Sequence, residues 1–546
     1  MPNMSFRALS RLLVGLSLAA VQALTADRVT DASSGKAPRH GDLVLFPLDD
    51  VAIPWRENLK LTLETPRKYE KNPIVSPRPV DGVDGYGSLL YGTVIKEGSR
   101  FRMWYLAAPR LDSRIPGDVE RNEWYRPVAY AESTDGIHWT KPDLGLVEFR
   151  GSRHNNLVSI EPAGEPYARA FDFVAVWLDS DDPDPSRRYK MAYITHDPER
   201  RFGSTATATS ADGLRWKLVN TSMFTKGHFE STGLIRFDGI YYLSGQNIPP
   251  FDSGLPDGSN AGRVMKMFFS PDFVHWSSGR ALAWYRDGYV PQKANFGQEH
   301  HMGAGLWQRG NVVLGFYGRW YGDTITSRPE SALAGLKIDL GLLVSNDAIH
   351  YREPVRNFVM VRRGAPDDWD SEGILQANAF ANTDTETLIW YSHWYTSEPD
   401  KIPPLPEQLT AENAKKVQAI GLLRMPRDRF GYFSKLLLAT RIGNPPEQRP
   451  AEASCLSQRL SLDAPSLLSV NVDRVASSRP LEIALVDDAE RPLAGYTAKL
   501  AEPSLKVLVQ WTGRKALPVH EPFRVKVTWP AGVDDGRLYA IYIEGQ

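Results

Sequence analysis

The sequence predicts an all-β protein: a five-bladed β-propeller followed by a C-terminal β-sandwich. Three observations carry this prediction. A Ser-x-Asp-Gly-x-x-Trp motif recurs along the chain, each copy follows two strand-like runs, and beyond residue 433 the recurrence gives way to short runs of alternating apolar and polar residues. Four-stranded antiparallel units repeated around an axis make a propeller, and short alternating strands between turns make a sandwich.

Residues 1–26 read as a secretory signal, with Arg7 and Arg11 ahead of the apolar run Leu12–Ala20 and small residues at Ala23 and Ala26. No later segment is apolar for long enough to cross a bilayer, so an exported protein with no membrane span, secreted or periplasmic, is expected. Lys and Arg number 64 against 65 Asp and Glu, a net charge of −1 that leaves no basic excess for a nucleic-acid partner. The single Cys455 excludes an internal disulfide and a cysteine metal cluster. At 546 residues the chain exceeds what one core holds, so at least two domains are expected. Residues 27–69 are Pro-bearing and irregular and are expected to wrap the first blade.

The propeller is placed at 70–433. Clear copies of the motif are Ser133-Thr-Asp-Gly-Ile-His-Trp139 and Ser210-Ala-Asp-Gly-Leu-Arg-Trp216. Looser copies are Ser270-Pro-Asp-Phe-Val-His-Trp276 and Ser345-Asn-Asp-Ala-Ile-His-Tyr351, with a degenerate one at Met425–Tyr432. Each follows an aromatic strand and then a strand of small and apolar residues, as in Phe101-Arg-Met-Trp-Tyr and Val128-Ala-Tyr-Ala of the first unit. The motif itself reads as structural, with Asp-Gly making the turn and Trp packing between blades. Asp238-Gly239, between Leu234-Ile-Arg-Phe and Ile240-Tyr-Tyr-Leu, is a strong hairpin signal and sets Glu230 at the outer end of its strand. Residues 401–417 look helical and form an excursion within blade five. Residues 434–458 are a polar linker, and 459–546 supply the strands of the sandwich.

In a propeller the inner strand of every blade points one end at the axis, so acids at those ends converge from distant positions. The candidates are Asp81 and Asp84 in blade one, Asp172 in blade two, Glu230 in blade three, Gln298-Glu299-His300-His301 in blade four, and Asp370, Glu372 and Gln376 in blade five. Adjacent His300 and His301 point to opposite faces of a strand, so only one can face the axis. Trp320 is a candidate to stack on a sugar, although aromatics in blade strands are more often core, and Arg319 and His393 are further binding candidates. No recognised metal spacing is present, so no metal or cofactor is assigned.

On these residues the chain resembles the five-bladed propeller glycoside hydrolases, the clan of invertases and fructanases (family 32 type) and of arabinanases and xylosidases (family 43 type). Glu230-Ser-Thr-Gly-Leu-Ile-Arg-Phe-Asp-Gly239 keeps the Glu, the apolar strand and the turn Asp of the invertase acid motif, with Ser231, Thr232 and Gly233 in place of Cys-Pro-Asp. Asp172 stands for the Asp of the Arg-Asp-Pro motif, and Asp84, with Asp81 as competitor, is the acidic position nearest to the nucleophile motif. The resemblance implies a glycosidase acting on an oligo- or polysaccharide. Glycoside cleavage needs one carboxyl group kept protonated and another ionised. Glu230 is expected as the acid, Asp84 as nucleophile or base, and Asp172 as the carboxylate that stabilises positive charge on the sugar. The competing readings are a non-catalytic propeller binding glycans or proteins, and a propeller lyase or phosphorylase.

Overall fold

The computed structural model describes residues 43–77, 82–109, 126–196, 203–221, 229–247, 263–286, 300–321, 337–394, 418–436 and 452–545. Every regular element in them is a strand except two short 3-10 turns at Pro166–Ala168 and Pro185–Arg187. The segments expected as signal (1–26) and helical excursion (401–417), together with Asp81 and Glu299, lie outside the described residues.

Among the described residues, antiparallel groups of strands follow one another. The first is Gly87–Glu97, Arg100–Ala108 and Val128–Ser133. The second is Ala170–Leu178, Tyr189–His196, Gly203–Ser210 and Arg215–Asn220, with Ser159–Glu161 added in parallel. The third is Glu230–Phe237, Ile240–Asn247, Val264–Ser270 and Ala281–Trp284. The fourth is His300–Arg309, Val312–Tyr321 and Lys337–Ser345. In the fifth, Gly373–Leu375 and Asn378–Asn382 together line Glu386–Trp394, which pairs with Ile420–Pro426. Its outermost strand, Arg67–Lys68, comes from ahead of the first unit and closes the circuit.

The inner strands touch in turn. Val176 N donates to Thr93 Oγ1 (2.9 Å), Asn378 pairs in parallel with Thr93, and Asn378 Nδ2 donates to Thr232 O (2.8 Å) while its Oδ1 accepts from Leu306 N (2.7 Å). A Cβ on Gly233 would lie 2.5 Å from Ala304 O, and one on Gly305 would lie 2.2 Å from Ala377 O, so glycine is what lets these backbones meet. The described strands thus form an all-β, propeller-like fold.

The recurring turn holds units together. Asp135 Oδ1 accepts from the amides of Ile137 and His138, both at 2.8 Å, and Gly136 takes φ +76°. Gly136 O accepts from Trp139 of its own motif (3.1 Å) and from Trp390 of the fifth unit (2.9 Å). Gly213 O does the same for Trp216 (3.1 Å) and for Trp104 of the first unit (2.7 Å).

Two further sheets share one core that includes Leu45, Val470, Ile541, Cys455, Ile483 and Val527. One runs Ser504–Leu508, Ser466–Asp473, Arg537–Gly545, Gly431–Lys435, Leu59–Leu63, with Leu43–Leu45 on Arg537–Gly545; the other runs Trp55–Glu57, Ala453–Leu456, Arg524–Trp529, Leu481–Val486, Pro492–Leu500. Two expected boundaries are corrected here. Residues 43–63 do not wrap the first unit but join the C-terminal sheets, and strands 431–435 and 453–456 belong to those sheets rather than to the ring or a linker. Strands of three to five residues show too few alternations to be told from loop, and nothing local names their partner.

Candidate active site

Bulges near the starts of the inner strands shape the site. Register breaks between Leu89 and Thr93, around Phe173, between Ser231 and Gly233, and between His301 and Ala304. Phe173 and Met302 take φ +39° and +64°, conformations that re-aim neighbouring side chains. An unbroken hairpin from Asp238-Gly239 would set Glu230 against Asn247, but the bulge at Thr232 sets it against Gln246.

That one-residue change gives Glu230 its partner. The buried Gln246 carboxamide donates to Glu230 Oε2 and to Met302 Sδ (2.7 Å), and its oxygen accepts from Met302 N (2.7 Å) and Arg263 Nη1 (3.5 Å). Asp172 Oδ1 accepts from Arg126 Nη1 (3.1 Å) and from Phe173 N (3.1 Å). The Asp172 side chain keeps 15% exposure. Burial raises its carboxyl pKa above the ordinary value; Arg126 opposes this, and the charge of Glu230 adds to it. Burial likewise pushes the Tyr91 hydroxyl well up, with Asp172 and Glu230 raising it further against Arg126 and Arg263. Glu230, Asp172, Arg126, Arg263 and Tyr91 therefore form one electrostatic cluster drawn from several units.

Beside it lies an aromatic group. The His301 ring is 5.4 Å from Trp320, 5.2 Å from Trp394 and 6.3 Å from Tyr91, and Arg263 lies over Trp320 at 4.1 Å. Gln376 Nε2 donates to His301 O (2.8 Å) and Gly303 O (2.7 Å), fixing the bulged start of the fourth inner strand. The backbone of His300 pairs with Arg319, while its side chain is outside the described residues.

The other expected residues are placed elsewhere. Asp84 is fully enclosed, its Oδ2 accepting from Ser88 Oγ (3.0 Å), Tyr105 OH (3.0 Å) and Lys141. Asp84, expected as nucleophile or base, is thus held in a buried ion pair with Lys141. The buried Glu372 has Lys337 Nζ at 3.7 Å, and Asp370 is bound by Lys68 (2.6 Å) and Tyr391 (2.7 Å). Arg319 donates to Asn357 O, and the His393 ring meets Trp369 edge-on at 5.8 Å.

Reasoning from sequence missed Tyr91, Arg126, Arg263 and Gln246. Gln246 was one residue from detection by counting back from the Asp238-Gly239 turn; the other three carry no local signal. Among the described residues no group of three His, Cys, Asp or Glu is arranged to hold a metal ion, and no helix is long and apolar enough to cross a membrane. Chemically, the arrangement offers two interacting carboxyl groups, a phenol and two guanidiniums.

No family model matches the chain. Two uncharacterized proteins from two strains of Mycobacterium tuberculosis align with it over 168 residues at 26% and 29% identity, covering 31% of this chain and 46% of each relative. The chain thus spans about half the length of the curated relatives it matches. Among solved structures, it is similar to a glycosyl hydrolase from Bacteroides ovatus (12% identity, 68% of this chain and 97% of that one, TM-score 0.41). It is also similar to a family 43 arabinoxylan arabinofuranohydrolase from Bacillus subtilis (12% identity, 87% of this chain and 99% of that one, TM-score 0.38).

Proposed function

We propose that the protein is an exported glycoside hydrolase, a five-bladed propeller with a C-terminal sandwich, which cleaves an oligo- or polysaccharide at the inner-strand ends. One observation carries the reading: Glu230 and Asp172, 58 residues apart in sequence, lie close enough for the charge of one to raise the proton affinity of the other. Like charge beside a carboxyl group favours its protonated form, and glycoside cleavage uses a retained proton on the leaving oxygen. Glu230, oriented by Gln246, is the donor. Asp172, with Arg126 against one oxygen, is the charge that steadies the positive sugar ring.

The enclosure of Asp84 favours a second reading, a propeller that binds glycans without cleaving them. A screen of the mature protein against plant, algal and bacterial polysaccharides, reading reducing ends, tests both. Release of sugar by wild type and its loss in Glu230→Gln supports hydrolysis; retained binding without release by either protein supports the binder.

A further inference from the structure

Apart from the buried Asp84, the first unit carries on its inner strand a polar side chain, Tyr91, in electrostatic contact with the carboxyl pair. We infer that Tyr91 is the substrate-contacting residue of the first unit, its hydroxyl hydrogen-bonding a sugar hydroxyl next to the bond that is cut; this rests on the hydrolase reading above.

Tyr91 sits in the register break between Leu89 and Thr93, the counterpart of the breaks that position Asp172, Glu230 and His301. Its ring packs at 3.9 Å on Phe173, the residue after Asp172, and lies 6.3 Å from His301, so it bridges the second and fourth units. Both carboxyl groups and both guanidiniums of the cluster act on its oxygen. Of these groups, Glu230 accepts from Gln246 and Asp172 accepts from Arg126. The Tyr91 hydroxyl makes no hydrogen bond among the described residues. A phenol kept neutral by burial and by two carboxyl groups is a poor nucleophile but both donates and accepts, as a sugar hydroxyl requires. The alternative is that Tyr91 only fills the core it shares with Trp104, Phe173 and Val174.

Removing one oxygen separates these. Wild type, Tyr91→Phe and Glu230→Gln are assayed on a panel of 4-nitrophenyl pentosides and hexosides and on the polysaccharide panel, with kcat and KM resolved and thermal unfolding followed. The expected result is that Tyr91→Phe unfolds like wild type yet loses about tenfold in kcat/KM, the effect of one hydrogen bond. The loss should vanish on the deoxy-glycoside that lacks the contacted hydroxyl. Tyr91→Phe equal to wild type, with Glu230→Gln inactive, overturns the inference and leaves the hydrolase reading standing. Wild type without turnover on either panel overturns the hydrolase reading and the inference with it. Failure of both Tyr91→Phe and Tyr91→Met to fold assigns Tyr91 to the core and also overturns the inference.

Discussion

Asp84 and Asp172 are both acids near the start of an inner strand, and their surroundings part them. Around Asp84, a lysine, a tyrosine and a serine close on the same carboxylate oxygen and leave it no surface. Around Asp172, one arginine and one amide meet a buried carboxyl that also faces a second acid, and burial still raises its proton affinity. The first is a charge fully answered; the second is a charge kept only partly compensated. Incomplete compensation leaves a carboxyl group's charge free to act on what binds beside it.

Four substitutions test that contrast. Glu230→Gln should lower turnover about 10³-fold, the range of a lost general acid, with binding retained, as measured by steady-state rates and calorimetry on the best substrate of the panel. Asp84→Asn should strip the counter-charge from half-buried Lys141 and cost about 3 kcal/mol in denaturant unfolding, while activity per folded molecule stays as in wild type. A large loss of kcat at unchanged stability would return Asp84 to the catalytic set.

The third concerns pH. Because the folded pKa of Asp172 is raised, its ionisation opposes folding above the ordinary carboxylate value, and this penalty is absent below it. Asp172→Asn should therefore raise the melting temperature relative to wild type at neutral pH, with the difference shrinking to nothing as pH falls past that value. Asp135 has the opposite sign: although burial raises its pKa, the bonds from His138, Ile137 and Ser133 prevail and hold it below the usual range. Its stabilisation is present above the ordinary carboxylate value and is lost on acidification. Asp135→Ala should cost about 1 kcal/mol, the smallest of the four effects, read from urea midpoints at neutral pH.

The turn chemistry was legible because it is local. Ser133, Asp135 and Gly136 bond one another within four residues, and the same spacing at 210, 270 and 345 marks the units. Glu230 and Asp172 were legible as acids entering apolar strands. What stayed hidden depends on distance or on a single extra residue. Asp84 and Asp172 look alike in sequence, and the approach of Tyr105 and of Lys141, 57 positions away, helps enclose the first. Gln246 needed the bulge at Thr232, and a slip of one residue exchanges the two faces of a strand. The strand Arg67–Lys68 has two residues, too few to carry any pattern, yet it finishes the fifth unit.

That short strand and its neighbours govern the order in which the molecule can be made. Residues 43–68 are made long before their partners: Arg67–Lys68 needs 423 and 424, Leu59–Leu63 needs 431–435, and Leu43–Leu45 needs 541–543. Arg67–Lys68 and Leu59–Leu63 find their edges once residues 423–435 are made, and a product cut short before the last strand leaves Leu43–Leu45 without its mate. The fifth unit can therefore be completed before the sheet that Leu43–Leu45 joins, which waits for residues 541–543.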